Sequence, residues 1–142
     1  MKQNYNPLIN DVNWENKTIL IVDDVEPNYQ LLKNALQKTK AKILQASTGD
    51  EAIHQCKNNA EIDVVLMDIH LPDISGHQAT RRIKEIREGI TIIAQTAFVF
   101  SGERQKSIDA GCDDYIAKPI RSSELIYKIR NCLIKAGKDA LL

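Results

Sequence analysis

Five short apolar runs recur along the chain, each followed by a segment with helical periodicity. They occupy residues 18–22, 42–46, 63–67, 91–95 and 114–117. The stretch ILIV at 19–22 shows no polar alternation, which is the pattern of a strand buried on both faces. Strict alternation of strand and helix predicts an α/β fold with a parallel sheet covered on both sides. The helical segments carry start and stop signals. Pro27 suits a first turn, where its missing N–H costs nothing, and Leu31, Leu32, Ala35 and Leu36 follow with helical spacing. Thr48 and Glu51 form a T-x-x-E capping box, with Ala52, Ile53 and Cys56 expected to face inward. Ser75 or Gly76 opens a third helix, with Ala79, Ile83 and Ile86 on one face. Ser101 starts a fourth, which Gly111 ends. Ser122 is expected to cap a fifth, with Glu124 in its first turn and Leu125, Ile126, Ile129, Cys132 and Leu133 as its apolar stripe.

In a doubly wound sheet, ligands bind beyond the carboxyl ends of the strands. Those ends are not random here. The first run stops at Asp23-Asp24, the third at Asp68, the fourth at Thr96, and the fifth is followed by Lys118-Pro119. One such aspartate alone would read as a turn or cap residue. Asp50, Asp63 and Asp73 are read that way. Three carboxylates, a hydroxyl and an ammonium at one edge read as a site.

The carboxylates repel one another, and a divalent cation relieves that repulsion. All-oxygen ligands favour Mg²⁺. No G-x-x-x-x-G-K-[ST] loop occurs, which disfavours a nucleotide. The set suits a carboxylate nucleophile attacking a phosphoryl group, with the cation, Thr96 and Lys118 stabilising the equatorial oxygens. On a regular strand Asp23 and Asp24 would point to opposite faces. Both serve the site only if the strand breaks at the pair.

Composition fits one ordinary domain. The 142 residues suffice for a full core, and nineteen basic residues balance nineteen acidic ones. No charge excess marks a nucleic-acid or membrane binder. The N-terminal stretch lacks the apolar centre of a signal peptide. Cys56, Cys112 and Cys132 show no metal-type spacing and read as buried thiols suited to a reducing cytosol. Residues 1–16 are expected to be a linker or flexible tail, 17–137 the folded domain, and 138–142 a flexible C-terminal tail. Trp14 is the exception in the leading segment and is expected to pack on the domain.

The stretches ILIVDD, VVLMDIHLPDISG, IIAQTA and GCDDYIAKPI, in this order and spacing, resemble the receiver domain of two-component response regulators. The resemblance covers residues 17 to 136. It implies a flavodoxin-like, five-stranded parallel sheet of order 2-1-3-4-5 with five helices. It makes Asp68 the phosphoacceptor, Asp24 the direct Mg²⁺ ligand, Asp23 a ligand acting through water, and the backbone carbonyl of His70 the third protein ligand. Thr96 and Lys118 would contact the phosphoryl group, Tyr115 would be the switch aromatic, and the Lys118–Pro119 peptide would be cis. The side chains of His70 and Phe98 would flank the path of the hydrolytic water. A ring at Phe98 then implies a long-lived phosphoryl state.

The donor implied is a phosphohistidine on a histidine kinase or a histidine phosphotransfer protein. The receiver would catalyse its own phosphorylation and dephosphorylation without being a turnover enzyme. The output face would be the fourth helix, fifth strand and fifth helix, which also offers a homodimer contact. The downstream target, the signal and the cognate kinase are not written in these residues. "DDVEPNYQLL" and the polar segment with Trp14 resemble the receivers of hybrid histidine kinases, which places the domain in the cytoplasm or at the cytoplasmic end of a membrane-bound sensor. The alternatives are a stand-alone regulator, a degenerate interaction module, or a Mg²⁺-dependent phosphatase. The phosphatases that use an aspartate nucleophile carry D-x-D after the first strand, whereas the pair here is adjacent.

Overall fold

The computed structural model describes residues 12–97 and 101–139. The strands are β1 (Thr18–Val22), β2 (Lys42–Ala46), β3 (Ile62–Asp68), β4 (Thr91–Thr96) and β5 (Asp114–Ala117). The helices are α1 (Glu26–Leu36), α2 (Gly49–Asn58), α3 (Gly76–Ile86), α4 (Ser101–Ala110) and α5 (Ser122–Lys135), with a short 3₁₀ turn at Gln37–Thr39. All strand pairs are parallel, and the sheet order is β2-β1-β3-β4-β5. β2 lies on one side of β1 and β3 on the other, so the direction of winding reverses after β2, which leaves a crevice at the carboxyl ends of β1 and β3.

The period-two geometry of the strands divides the core in two. Ile19, Ile21, Val64, Leu66, Ile93 and Ile116 face α1 and α5, where Tyr29, Leu32, Leu36, Ile129 and Leu133 meet them. Leu20, Val22, Val65, Met67, Ile92 and Ala94 face the other side and pack on Ala52, Cys56, Ala79 and Ile83. The central strands are buried along both faces, as the run ILIV predicts. Each fully buried Leu or Ile contributes about 2 kcal/mol of transfer free energy. Trp14 is buried on the first of these faces, with its N–H donating to Thr39 O and its indole Nε1 to Asp139 Oδ2.

Local details differ from the sequence reading at four points. Leu31 is 54% exposed, because α1 buries the Tyr29–Leu32–Leu36 stripe one position away. Ile86 lies in the last turn of α3 and is also exposed. At α2, Thr48 accepts from Glu51 N, but the Glu51 carboxylate reaches Ser47 N rather than the cap residue itself. The reciprocal capping box forms instead at α3, between Ser75 and Gln78. At α5 the cap position belongs to Arg121, whose backbone is extended and whose side chain makes no cap bond, so Ser122 is already helical. The three cysteines are buried free thiols, and burial pushes each pKa up to about 11.

Candidate functional site

β1 ends at Val22, yet pairing runs one residue further, since Asp23 N donates to Ala46 O at 3.0 Å. The chain then turns. Asp23 Oδ1 accepts from Val25 N at 3.0 Å, an i to i+2 turn that leads into α1. Asp68, the last residue of β3, repeats the device, with Oδ1 accepting from His70 N at 3.1 Å. Each aspartate thus uses one oxygen to turn its own backbone and aims the other across the crevice. Asp23 Oδ2 lies 3.6 Å from Lys118 Nζ, and Asp68 Oδ2 lies 3.7 Å from it.

The strand break lets both members of the acidic pair reach one place. One carboxylate oxygen from each of Asp23, Asp24 and Asp68 lies within 4.8 Å of the others. Asp23 is 1% exposed and Asp68 4%, whereas Asp24 stands in solvent at the rim. Asp23 Oδ2 is buried and accepts no hydrogen bond among the described residues, the Lys118 ammonium standing off at 3.6 Å. A buried anionic oxygen left open costs free energy unless a cation or donor comes to it. Three hard oxygen donors, one with an open valence, fit a small divalent cation such as Mg²⁺.

Burial, above all, holds the Asp68 carboxyl above the ordinary carboxylate range. The His70 N–H and the Lys118 ammonium pull it down, and the Asp23 and Asp24 charges push it up. Lys118 is therefore the local counter-charge. Its backbone is fixed by donation from Lys118 N to Thr96 O at 2.8 Å, and the Lys118–Pro119 peptide is cis. Thr96 is buried at the end of β4. His70 is exposed beside Asp68. Tyr115 is half-buried on β5, with Lys128 Nζ 4.9 Å and Arg104 Cζ 5.7 Å from its ring centre. Phe98 lies outside the described residues.

Two residues of the site were not singled out for it from the sequence. Gly76 opens α3 directly on the backbone of the phosphoacceptor candidate, with Gly76 N donating to Ile69 O at 2.8 Å. A Cβ there would stand 2.2 Å from Asp68 O and 2.8 Å from Ile69 Cα, so only glycine permits the approach. Gln95 is wholly buried, with Nε2 donating to Leu66 O at 3.1 Å and reaching Val22 O at 3.4 Å. Its signal was a lone amide inside the apolar run IIAQT. Asp73 is a cap residue as expected, whereas Asp63, expected in a turn or cap, lies within β3 and ties that strand to the start of β1. Asp63 accepts from Thr18 N, and Asp73 accepts from Gly49 N and Asp50 N at the start of α2.

Among described residues, no helix is long and apolar enough to cross a membrane. The chain is 39% identical over 124 residues to hybrid signal transduction histidine kinase I of Dictyostelium discoideum, covering 82% of this chain but 7% of that protein. It is 33% identical to the polar-differentiation response regulator DivK of Brucella ovis, covering 82% of this chain and 96% of that one. Among solved structures it is similar to the receiver domain of a sensor histidine kinase from Pseudomonas aeruginosa, which has magnesium coordinated in its active-site cleft. The TM-score is 0.74 at 30% identity, over 85% of this chain and 98% of that one. Residues 19–130 match the response regulator receiver domain, the sheet order and the acidic crevice agree with it, and the chain belongs to that family.

Proposed function

We propose that this receiver domain takes a phosphoryl group onto Asp68 from a phosphohistidine of a histidine kinase or histidine phosphotransfer protein. One observation carries the reading: Asp23, Asp24 and Asp68 converge at one point, with Lys118 held against two of them. An Asp68 carboxylate oxygen attacks phosphorus in line. The phosphorus–nitrogen bond to the donor imidazole breaks, and the imidazole nitrogen keeps the electron pair and takes up a proton. Lys118 and the Thr96 hydroxyl stabilise the equatorial oxygens as charge develops. Asp24, Asp23 (through water), Asp68 and the His70 carbonyl would hold Mg²⁺, which supplies positive charge against the carboxylates and the phosphoryl oxygens.

The acyl phosphate adds negative charge where Asp68 stood. The Thr96 hydroxyl turns toward it, the following loop moves, and Tyr115 rotates inward between α4 and α5. That changes the α4–β5–α5 face, which is the output surface and a homodimer contact. By the family resemblance, the ring at Phe98 would hinder the attacking water, so the adduct is long-lived at neutral pH. A half-life of seconds would overturn this.

The domain acts as a switch rather than as a turnover enzyme. It works in the cytoplasm. Similarity to the hybrid kinases supports a receiver within a sensor kinase that passes the group from its own histidine. The match over 96% of DivK supports a second reading, a stand-alone regulator. The open reading frame around the coding sequence separates them. Incubation with Mg²⁺ and acetyl phosphate, followed by intact mass, tests the chemistry. The wild type gains one phosphoryl group and Asp68→Asn gains none. A degenerate module gains none in either form, and a phosphatase consumes the donor many times over without holding the adduct.

A further inference from the structure

We propose that Gln95 is a positioning residue for the acidic crevice: its buried amide ties the ends of β1 and β3 together and so sets the geometry in which Asp23 and Asp68 meet their cation. The inference rests on the Mg²⁺-binding part of the reading above. Gln95 shares its face of β4 with Ile93, in the cluster formed with Leu66, Ile116 and Leu32. That environment asks for Leu or Ile. A carboxamide there loses its hydration and must recover it from the protein. Only half is recovered, because Gln95 Oε1 is buried with no partner among the described residues. As core filling, then, the residue is a poor choice.

Its other end explains the choice. Nε2 donates to Leu66 O at 3.1 Å and approaches Val22 O at 3.4 Å. Val22 is the last residue of β1, directly before Asp23, and Leu66 lies two residues before Asp68. The main chain of Gln95 is itself paired with Asp68, and its carbonyl accepts from Ile69 N at 3.2 Å. The next residue is Thr96. One side chain therefore bridges the strands that carry the acids from the strand that carries the hydroxyl. Repulsion among the carboxylates tends to part those strand ends, and a shared donor between their carbonyls opposes it. Gln95 touches neither phosphoryl group nor cation, so it acts through the backbone of residues that do.

The test compares wild type with Gln95→Leu and Gln95→Met, using Ile93→Val as a same-face core control. Mg²⁺ affinity is read by isothermal titration calorimetry, stability by urea unfolding, and phosphoryl uptake from acetyl phosphate by intact mass. Both Gln95 variants are expected to unfold at or above the wild-type urea concentration, since the orphaned acceptor leaves with the amide. Their Mg²⁺ affinity falls about tenfold, as for lost supports of metal ligands, and initial uptake slows with it. Ile93→Val changes stability alone. Wild-type Mg²⁺ affinity in both Gln95 variants overturns the proposal, whatever happens to stability. A wild type that binds Mg²⁺ but takes up no phosphoryl group refutes the phosphoacceptor reading and leaves the Gln95 proposal standing. A wild type that does not bind Mg²⁺ refutes both.

Discussion

The two edges of the sheet use the same residue types in opposite ways. At the amino edge, Asp63 accepts from Thr18 N, and Asp113 accepts from Ile92 N at 2.8 Å and from Lys84 Nζ at 3.0 Å. Arg87 donates to the carbonyls of Asn59, Ala60 and Ile62. Charges there are spent on stitching strands to loops. At the carboxyl edge, Asp23 and Asp68 each commit one oxygen to a turn and hold the other at salt-bridge distance from a single lysine. Saturated carboxylates make structure, and carboxylates with an open valence make chemistry and cost stability.

Asp68→Asn breaks the contrast most completely. It is expected to abolish phosphoryl uptake in an intact-mass assay while raising the unfolding midpoint at neutral pH. The sign follows from the raised Asp68 pKa. A raised carboxyl contributes its stability below the unfolded carboxylate pKa and loses it as pH rises through the folded value. At neutral pH the ionised group opposes folding, so removing it helps, and the gain vanishes in acid. A midpoint below wild type at pH 7 would contradict this. Next in size is Gly76→Ala, which forces a methyl against Asp68 O and should cost about 3 kcal/mol in urea unfolding, the scale of overpacking. Uptake by the folded fraction should fall as well, because the displaced backbone is that of Asp68.

At the amino edge the prediction separates stability from chemistry. Asp113→Ala removes the partner of Ile92 N and Lys84, at about 1 kcal/mol, with the uptake rate of folded protein unchanged. A changed rate would mean the edges communicate. The smallest effect at neutral pH is that of the thiols. Burial lifts Cys56, Cys112 and Cys132 from the model-peptide value of 9.0 to about 11. Their contribution is therefore fully present below pH 9 and is lost as pH rises to 11. Thiol reagents at pH 8 should titrate all three only after urea is added.

Much of the site was legible because its residues stand directly after apolar runs: Asp23, Asp68 and Thr96 occupy the register positions where a buried strand meets solvent. What the runs could not show is direction. A sequence places Asp23 beside Asp24, but only the break at Val22 brings both within 4.8 Å of the Asp68 carboxylate. Gly76 looked like a helix start because close approach depends on a backbone distant in the chain. Gln95 passed as one polar residue in a strand, since its partners, Val22 O and Leu66 O, belong to β1 and β3. Caps slipped by a residue at Ser122 because the extended φ and ψ that define the cap fell on Arg121. Phe98 lies outside the described residues, and its bearing on the water path rests on sequence alone.

Trp14 has an optical consequence. It is the chain's one tryptophan. It is sealed between Thr39, ahead of β2, and Asp139, beyond α5, at the far edge of the sheet from Asp68. Its emission reports whether the segments around Trp14 and Asp139 stay docked, so native fluorescence follows unfolding. A dye that senses the switch belongs on the exposed α4 and α5 positions beside Tyr115.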